Sequence, residues 1–169
     1  CTEGFYADRH MFMGRGEFMP TEDIAIAVRK VTARQCERIS RVAFDWARKR
    51  RKKVTAVHKA NVLHMSDGLF LREVRKVAKE YPDVELDEKI VDAMAALLVR
   101  NPDKFDCIVT GNMFGDILSD EASEISGGLG LAASTMAGDD ACCAQAQHGS
   151  APDIAGQDKA NPTSLILSA

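Results

Sequence analysis

The sequence lacks the marks of a membrane-spanning or repetitive protein. Its 169 residues contain no low-complexity tract, no internal repeat and no signal peptide at the start. They also contain no apolar stretch of about 18 residues, the length that a membrane-spanning helix requires. Apolar residues make up 46% and charged residues 28%, a balance typical of a soluble globular protein. We therefore expect a folded cytoplasmic protein with no membrane association.

Zinc-binding patterns are also missing. The five cysteines follow no regular spacing, and neither a Cys-x-x-Cys nor a His-x-x-x-His pattern accompanies them. Free thiols in a reducing cytoplasm are therefore expected. The chain begins with Cys1 rather than Met and stops inside an apolar segment at residues 165–169, so we expect both ends to be cuts in a longer protein.

A strong positive charge is absent as well, because the formal net charge is -3. Residues 48–53 are nevertheless six consecutive cations, which alone could bind phosphate. They follow a segment with apolar residues at helical spacing: Ile39, Val42, Ala43, Trp46 and Ala47. We interpret the cations as the solvated C-terminal end of an amphipathic helix and expect no nucleic-acid partner.

Predicted strands and helices alternate along the chain, which indicates an α/β sandwich. Short apolar strands are predicted at residues 54–57, 84–86 and 105–110. Helices are predicted at residues 33–51, 66–81, 87–100 and 114–125. Thr32 is the predicted N-cap of the first helix. The pair Ser66-Asp67 is predicted to cap the second helix. A last helix is expected to start at Asn161-Pro162, with Asn as N-cap and Pro at the first helical position.

Residues 7–31 mix Met and Phe with Gly and Pro, which predicts an extended hairpin or arm. The arm has too few residues to bury its own apolar side chains, so we expect an oligomer; the alternative is an arm that folds back on its own domain. From Gly127 onward the composition shifts to Gly, Ala and Ser, which predicts a domain boundary between residues 1–126 and 127–169.

Ionisable residues follow the predicted strands, where α/β folds bind ligands. Asp116 and Asp120 lie four residues apart, so a helix places both carboxylates on one face, where a divalent cation would neutralise them. With Asp92 and the amine of Lys59, they could form a metal site with a proton acceptor. The alternative is a helix-dipole contact for Asp116, solvated carboxylates at the other two positions and a surface amine.

A loop at residues 148–156 is suited to holding a nucleotide. Residues 128–133 match the dinucleotide fingerprint GxGxxA, but a helical segment precedes them instead of a strand. We therefore discount the fingerprint.

Seven stretches of the chain match one family in order from end to end. They are residues 2–6 (TEGFY), 59–63 (KANVL), 91–94 (VDAM), 112–120 (NMFGDILSD), 127–130 (GGLG), 148–156 (HGSAPDIAG) and 160–163 (ANPT). On these stretches the chain resembles the β-decarboxylating dehydrogenases, which include 3-isopropylmalate, isocitrate, homoisocitrate and tartrate/D-malate dehydrogenases.

The resemblance implies an isopropylmalate/isocitrate dehydrogenase-like fold. Residues 1–126 would be the complete smaller domain with a dimerisation arm, and residues 127–169 part of the larger NAD-binding domain. Tyr6 and Lys59 would be catalytic, and Asn61 would bind the substrate. The implied ligands of Mg²⁺ or Mn²⁺ are Asp92, Asp116 and Asp120. In a homodimer, Lys59 and Asp92 would be contributed to the neighbour's site.

The implied reaction is NAD-dependent oxidative decarboxylation of a 3-substituted (R)-malate, a small 2-hydroxy acid. Lys59, kept partly neutral by desolvation and nearby cationic charge, would take the hydroxyl proton directly or through water. Hydride would pass from C2 to the nicotinamide, and Tyr6 would protonate the carbon from which CO₂ leaves.

The resemblance also implies a set of adenosine-binding residues: His148, Gly149, Ser150, Ala151, Pro152, Asp153, Ile154 and Asn161. A carboxylate at Asp153 accepts hydrogen bonds from ribose hydroxyls and repels a 2′-phosphate, which predicts NAD rather than NADP. The family commonly has an acidic residue and a Pro shortly before the His, whereas residues 144–147 read AQAQ. A contact from that acid to the nicotinamide half is therefore not expected.

Substrate identity stays open, because the resemblance implies that the residues that recognise the group on C3 lie mostly before Cys1, as do the substrate-binding arginines. 3-Isopropylmalate is the first choice, and isocitrate, homoisocitrate and tartrate/D-malate are alternatives. For the same reason, the 169 residues alone are expected to be inactive. An alternative of another class is a non-catalytic regulatory or assembly subunit, against which the retained Lys59 and carboxylates argue.

Overall fold

The chain divides into two compact units, Cys1–Ile117 and Leu118–Ala169. The computed structural model describes residues 4–5 and 16–169. In chain order the strands and helices are β1 (Glu17–Thr21), β2 (Ile24–Ala27), α1 (Ala33–Arg48), β3 (Lys53–His58), α2 (Ser66–Ala78), β4 (Glu85–Ile90), α3 (Val91–Arg100), β5 (Cys107–Thr110), α4 (Asn112–Ile125), β6 (Ala133–Ala137), β7 (Cys142–Ala146) and α5 (Thr163–Ser168). The predicted α/β class is confirmed, and the domain boundary at 126/127 stays a prediction.

A parallel sheet of three strands, in the order β4-β3-β5, forms the centre of the first unit. The middle strand β3 is buried on both faces, because α1, α2 and α3 all contact it and β4 and β5 pair with its two edges. The core residues with no exposed surface include Phe44, Ala47, Val54, Ala56, Val74 and Val77. Helices α1 and α2 pack on this sheet, and the predicted site residues follow the ends of its strands.

The buried face of α1 differs from the predicted one. It consists of Cys36, Ser40, Phe44 and Ala47, which follow each other at intervals of three or four residues. Val42 and Trp46, predicted to share the apolar face, are 52% and 58% exposed. The helix carries a second apolar stripe beside the core stripe, and the Lys49 ammonium lies over the Trp46 ring at 5.3 Å from its centroid.

Several predicted helix ends are wrong. Residues 87–90 continue β4, because they pair in parallel with residues 55–58 of β3, and α3 therefore begins at Val91 rather than at residue 87. The first two long helices end at Arg48 and Ala78, three residues before their predicted ends.

The predicted helix caps have mixed outcomes. Thr32 is confirmed, since its hydroxyl accepts the Gln35 N–H at 3.4 Å. Ser66-Asp67 does not cap α2: the N-cap position is Met65, and no side chain accepts a helix N–H there. The last helix begins at Thr163, and its N-cap position is Pro162 rather than the predicted Asn161. The Asn161 side chain still accepts the Thr163 N–H at 3.0 Å.

Five of the six cations at residues 48–53 form ion pairs within the first unit, and the sixth, Lys49, lies over the Trp46 ring. Arg48 contacts Asp83 at 2.8 Å, and Arg50 contacts Asp106 at 2.8 Å. The Arg51 guanidinium donates to the Asp103 carbonyl at 2.6 Å. These contacts connect the end of α1 to the turns before β4 and β5, so the run has a structural role in this unit.

The antiparallel hairpin β1–β2 lies within the predicted arm, of which residues 7–15 fall outside the described part. Its residues are exposed throughout. The large apolar side chains at its surface are Phe18, Met19, Ile24 and Ile26, between 38% and 62% exposed. As predicted, the hairpin does not bury its own apolar groups.

The second unit packs the short helix α5 on the antiparallel hairpin β6–β7. Two buried serines make the connection. The Ser164 hydroxyl donates to the Ala132 carbonyl, and the Ser168 hydroxyl donates to the Gln145 carbonyl at 2.7 Å and accepts the Ser134 N–H at 3.0 Å. Over the ranges that the structure describes, no helix combines the length and apolar character needed to cross a membrane.

Candidate active site

Three predicted site segments lie at one edge of the parallel sheet. Strand β3 ends at His58, directly before Lys59, and β4 ends at Ile90, two residues before Asp92. Strand β5 ends at Thr110, shortly before Asn112 opens α4. Because the strands are parallel, all three carboxyl ends point to the same edge, which is where α/β folds bind ligands.

Lys59 and Asp92 are in direct contact. The Lys59 ammonium donates a hydrogen bond to the Asp92 carboxylate. The Lys59 side chain is 28% exposed, whereas that of Asp92 is 67% exposed. The hydrogen bond from the Lys59 ammonium lowers the pKa of Asp92 below its ordinary value. The pair is thus a charged, accessible group at the edge of the sheet.

The backbone of the Lys59 loop is held by side chains that the sequence analysis did not assign to the site. The Lys59 N–H donates to Asp67 at 2.6 Å, and the Ala60 N–H donates to His58 Nδ1 at 3.0 Å. Asp67 is 2% exposed and forms an ion pair with Arg29. Asn61, the predicted substrate ligand, is exposed in the same loop. No sequence signal distinguishes Asp67 from an ordinary helix cap.

The two other predicted metal ligands lie on α4. Asp116 and Asp120 are both exposed and are four residues apart on this helix, as predicted. The Gln147 amide donates to Asp120 at 3.0 Å and to the Ser119 hydroxyl at 2.9 Å. Gln147 belongs to the stretch that departs from the family pattern, and that departure was the available sequence signal for it.

The described part of the chain contains no group of three His, Cys, Asp or Glu side chains arranged to hold a metal ion. Within the first unit, Lys59 and Asp92 are joined. Tyr6, the other predicted catalytic residue, lies outside the described residues. The metal site and the role of Tyr6 stay predictions.

A cleft of about 580 Å³ lies in the second unit along the predicted nucleotide loop. Its lining includes most of the predicted residues: His148, Gly149, Ser150, Ala151, Ile154 and Asn161. Asp153 lies in the 3₁₀ turn Pro152–Ile154 of the same loop and is exposed. The backbone of Ala151 is left-handed, with φ of 42°, which turns the chain sharply before Pro152.

The GxGxxA match at residues 128–133 is not a dinucleotide fingerprint in this fold. Helix α4 precedes it, the match contains the 3₁₀ turn Leu129–Leu131, and strand β6 begins at its last residue, Ala133. This is the reverse of the strand-then-helix context that the fingerprint needs. Gly130 nevertheless lines the cleft of the nucleotide loop.

Comparison with known proteins assigns the family. The profile of the family "Isocitrate/isopropylmalate dehydrogenase" matches residues 1–169. A homoisocitrate dehydrogenase from Methanocaldococcus jannaschii is 52% identical over 159 residues, covering 94% of this chain and 45% of the relative. A 3-isopropylmalate/3-methylmalate dehydrogenase from the same organism is 52% identical over 153 residues, covering 88% and 46%.

The fold comparison agrees with the sequence comparison. The crystal structure of isocitrate dehydrogenase from Methylococcus capsulatus superposes with a TM-score of 0.87 at 48% identity, over 98% of this chain and 48% of that chain. The chain thus spans about half the length of these relatives. The profile covers every residue and the identities are well above those of chance similarity, so the chain belongs to the isocitrate/isopropylmalate dehydrogenase family.

Proposed function

We propose that the protein containing this chain catalyses the NAD-dependent and divalent-metal-dependent oxidative decarboxylation of a 3-substituted (R)-malate. The observation that supports this most strongly is the contact between Lys59 and Asp92 at the carboxyl edge of the sheet. It places the Lys59 amine, the proposed proton acceptor in its neutral form, beside a carboxylate at the place where α/β enzymes bind their substrates. Family membership supports the reaction class.

The donor set fits a hard divalent cation. Asp116 and Asp120 are exposed carboxylates one helical turn apart, and carboxylate oxygens are the ligands that Mg²⁺ and Mn²⁺ prefer. Asp92 would be the third ligand and would come from the second subunit. When bound, the cation would polarise the substrate's 2-hydroxyl group and stabilise the negative charge left by the loss of CO₂.

The chain's own residues account for the proton transfers. Lys59 Nζ would take the proton of the 2-hydroxyl while NAD, when bound at residues 148–154 and Asn161, would accept the hydride from C2, so that the alcohol would become a ketone. The carboxylate β to this ketone then leaves as CO₂, and Tyr6 donates a proton to the carbon that carried it. Asn61, exposed two residues after Lys59, hydrogen-bonds the acid and orients it. Within the chain, Lys59 pairs with the carboxylate of Asp92. The nearby positive charge that is predicted to keep Lys59 partly neutral would therefore come from the assembled site.

The cleft along residues 148–161 fits the adenosine half of a dinucleotide. Its volume is about 580 Å³, and many of its lining residues are Gly, Ser and Ala. Because these side chains are small, a ribose and a base can approach the backbone closely. Exposed Asp153 in the same loop supports NAD over NADP, because a carboxylate repels a 2′-phosphate.

The exposed hairpin β1–β2 supports a homodimer. Its large apolar side chains need a covering surface, and a second copy of the chain would provide it while bringing Lys59 and Asp92 into the neighbour's site. We propose 3-isopropylmalate as the first substrate to test, with isocitrate, homoisocitrate and tartrate/D-malate as alternatives.

The test uses the full-length polypeptide that contains this chain. We expect NADH formation, followed by absorbance, with Mn²⁺ and one of a panel of 3-substituted (R)-malates, and a much weaker reaction with NADP. Addition of a metal chelator should abolish the reaction. The absence of NADH formation with every acid would instead favour the alternative from another class, a non-catalytic regulatory or assembly subunit.

A further inference from the structure

Asp67 is a buried carboxylate whose two oxygens have different partners. One oxygen accepts the Lys59 backbone N–H at 2.6 Å, and the other accepts a hydrogen bond from the Arg29 guanidinium. Asp67 is 2% exposed, and the Arg29 side chain is 14% exposed. A buried ion pair of this kind gives little net stability, because desolvation offsets the attraction. Its value to the protein therefore lies in the geometry that it holds.

The Arg29 guanidinium contacts two of the loops at the active-site edge. It donates to the Ser66 hydroxyl at 3.0 Å, on the side of the loop that follows β3. It also lies over the Phe114 ring, 5.6 Å from its centroid, in the first turn of α4. A Cβ added at Gly111 would be 3.0 Å from the Arg29 side chain, so the backbone between β5 and α4 lies directly against the guanidinium.

The bond from Asp67 to the Lys59 N–H acts on the catalytic side chain through the backbone. A charge-assisted hydrogen bond to a peptide N–H fixes the orientation of that peptide plane, from which the direction of the Lys59 Cα–Cβ bond follows. A small change in this direction would matter for catalysis, because a displacement of about 1 Å in a catalytic group can reduce the rate about 100-fold.

We propose that Asp67 is a positioning residue for Lys59 and that Arg29 locks Asp67 while it connects the loops after β3 and β5. This inference rests on the proposed function, in which Lys59 accepts the substrate proton. It adds a pair of residues, one from the segment after the hairpin and one from α2, on which the geometry of proton transfer depends.

Asp106 offers a matched control for a substitution of Asp67. Its side chain is also 2% exposed, and its carboxylate also accepts from one arginine side chain, Arg50 at 2.8 Å, and from one backbone N–H, that of Arg51 at 2.9 Å. It precedes β5 and therefore lies at the opposite edge of the parallel sheet. Asp67→Asn and Asp106→Asn thus each remove the charge and replace one acceptor oxygen by an NH₂ group, one at each edge of the sheet.

The experiment measures kcat, KM and backbone hydrogen exchange in the full-length protein and in both variants. We expect Asp67→Asn to lower kcat about 10- to 100-fold, with a smaller change in KM, because the lost geometry acts in proton transfer. Exchange in residues 59–63 should become faster. Asp106→Asn should keep kcat within about twofold and leave exchange in that segment unchanged, although it loses an equivalent contact.

Two controls separate the outcomes. If the unaltered protein forms no NADH, or Lys59→Met keeps full activity, the proposed function fails and the positioning role fails with it. The positioning role alone is overturned if Lys59→Met is inactive but Asp67→Asn keeps its kcat. The same holds if Asp67→Asn lowers kcat no more than Asp106→Asn does.

Discussion

Lys59 and Asp92 emerge from the ends of two adjacent parallel strands and meet in a hydrogen bond between an ammonium and a carboxylate. The contact spans 33 residues of sequence and exists because β3 and β4 run side by side in register up to His58 and Ile90. The sheet thus places the proposed catalytic amine and a proposed metal ligand together. In a dimer they would enter the neighbouring site as one unit.

Replacing either member of this pair should remove activity without unfolding the protein. We expect Lys59→Met and Asp92→Asn each to lower kcat about 10²- to 10⁴-fold, since the first removes the proposed base and the second a proposed metal ligand. The unfolding midpoint should shift by less than about 2 °C, because exposed ion pairs stabilise little. Steady-state kinetics and calorimetry check both. A parallel loss of kcat and midpoint would show a structural role instead.

The hydroxyl of Thr55 should be unfavourable where it lies. Thr55 is completely buried in β3, and its Oγ1 has no hydrogen-bond partner among the described residues. Thr55→Val removes the hydroxyl at nearly constant volume and should raise the free energy of unfolding by about 1 kcal/mol.

Thr110 on the neighbouring strand β5 is the matched control. Its hydroxyl donates to the Val57 carbonyl at 2.8 Å, so Thr110→Val should lower the free energy of unfolding by about 1 kcal/mol. Urea denaturation compares the two variants. Equal effects in the same direction would contradict the assignment of their hydrogen bonds.

Stability should fall in acid partly because of Asp106. Burial alone would raise the pKa of Asp106, but hydrogen bonds from the Arg50 guanidinium and the Arg51 N–H outweigh it and lower the pKa below its ordinary value. A lowered folded-state pKa means that the stabilisation is complete above the unfolded pKa of about 3.9 and is lost as the pH falls through the folded value.

The measurement is the urea midpoint between pH 7 and pH 3. The wild-type midpoint should decrease over the acid end of this range, and Asp106→Asn should show a smaller decrease because it has no carboxylate to protonate at that position. Identical pH dependence in the two proteins would contradict the role of this carboxylate.

Sequence patterns within short segments predicted much of the fold. They could not predict contacts between segments that are far apart in the sequence. The apolar run of β3 and the Thr32 cap are local signals, and both are confirmed. Residues 87–90 are polar and were assigned to a helix, but they form an edge strand because β3 provides a hydrogen-bonding partner. The choice between helix and strand there depends on a neighbour that the local sequence does not contain.

The candidate site shows the same division. The spacing of Asp116 and Asp120 on one helix is a local property and was predicted. Asp67 has the residue type of a helix cap, and its role at the Lys59 backbone depends on Arg29, which is 38 residues away. No periodicity in the sequence distinguishes a capping carboxylate from a buried one, so this part of the site required the structure.

The turn after α4 should depend on a glycine. Gly127 has φ of 121°, and a Cβ there would lie 2.9 Å from Leu131 Cδ1. Gly127→Ala should therefore lower the free energy of unfolding by about 1–2 kcal/mol. Gly130→Ala, whose Cβ would meet nothing within 4 Å, should change it by less than about 0.5 kcal/mol. Thermal unfolding of both variants makes the comparison, and equal losses would contradict it.

In the proposed dimer each active site is shared, with Lys59 from one subunit and Asp120 from the other. The direct measurement mixes Lys59→Met with Asp120→Asn subunits after joint unfolding and refolding. Each variant alone should be inactive, but a mixed dimer has one site with both substitutions and one with neither, so the mixture should regain about a quarter of wild-type activity. A mixture no more active than its separate components would contradict the shared site.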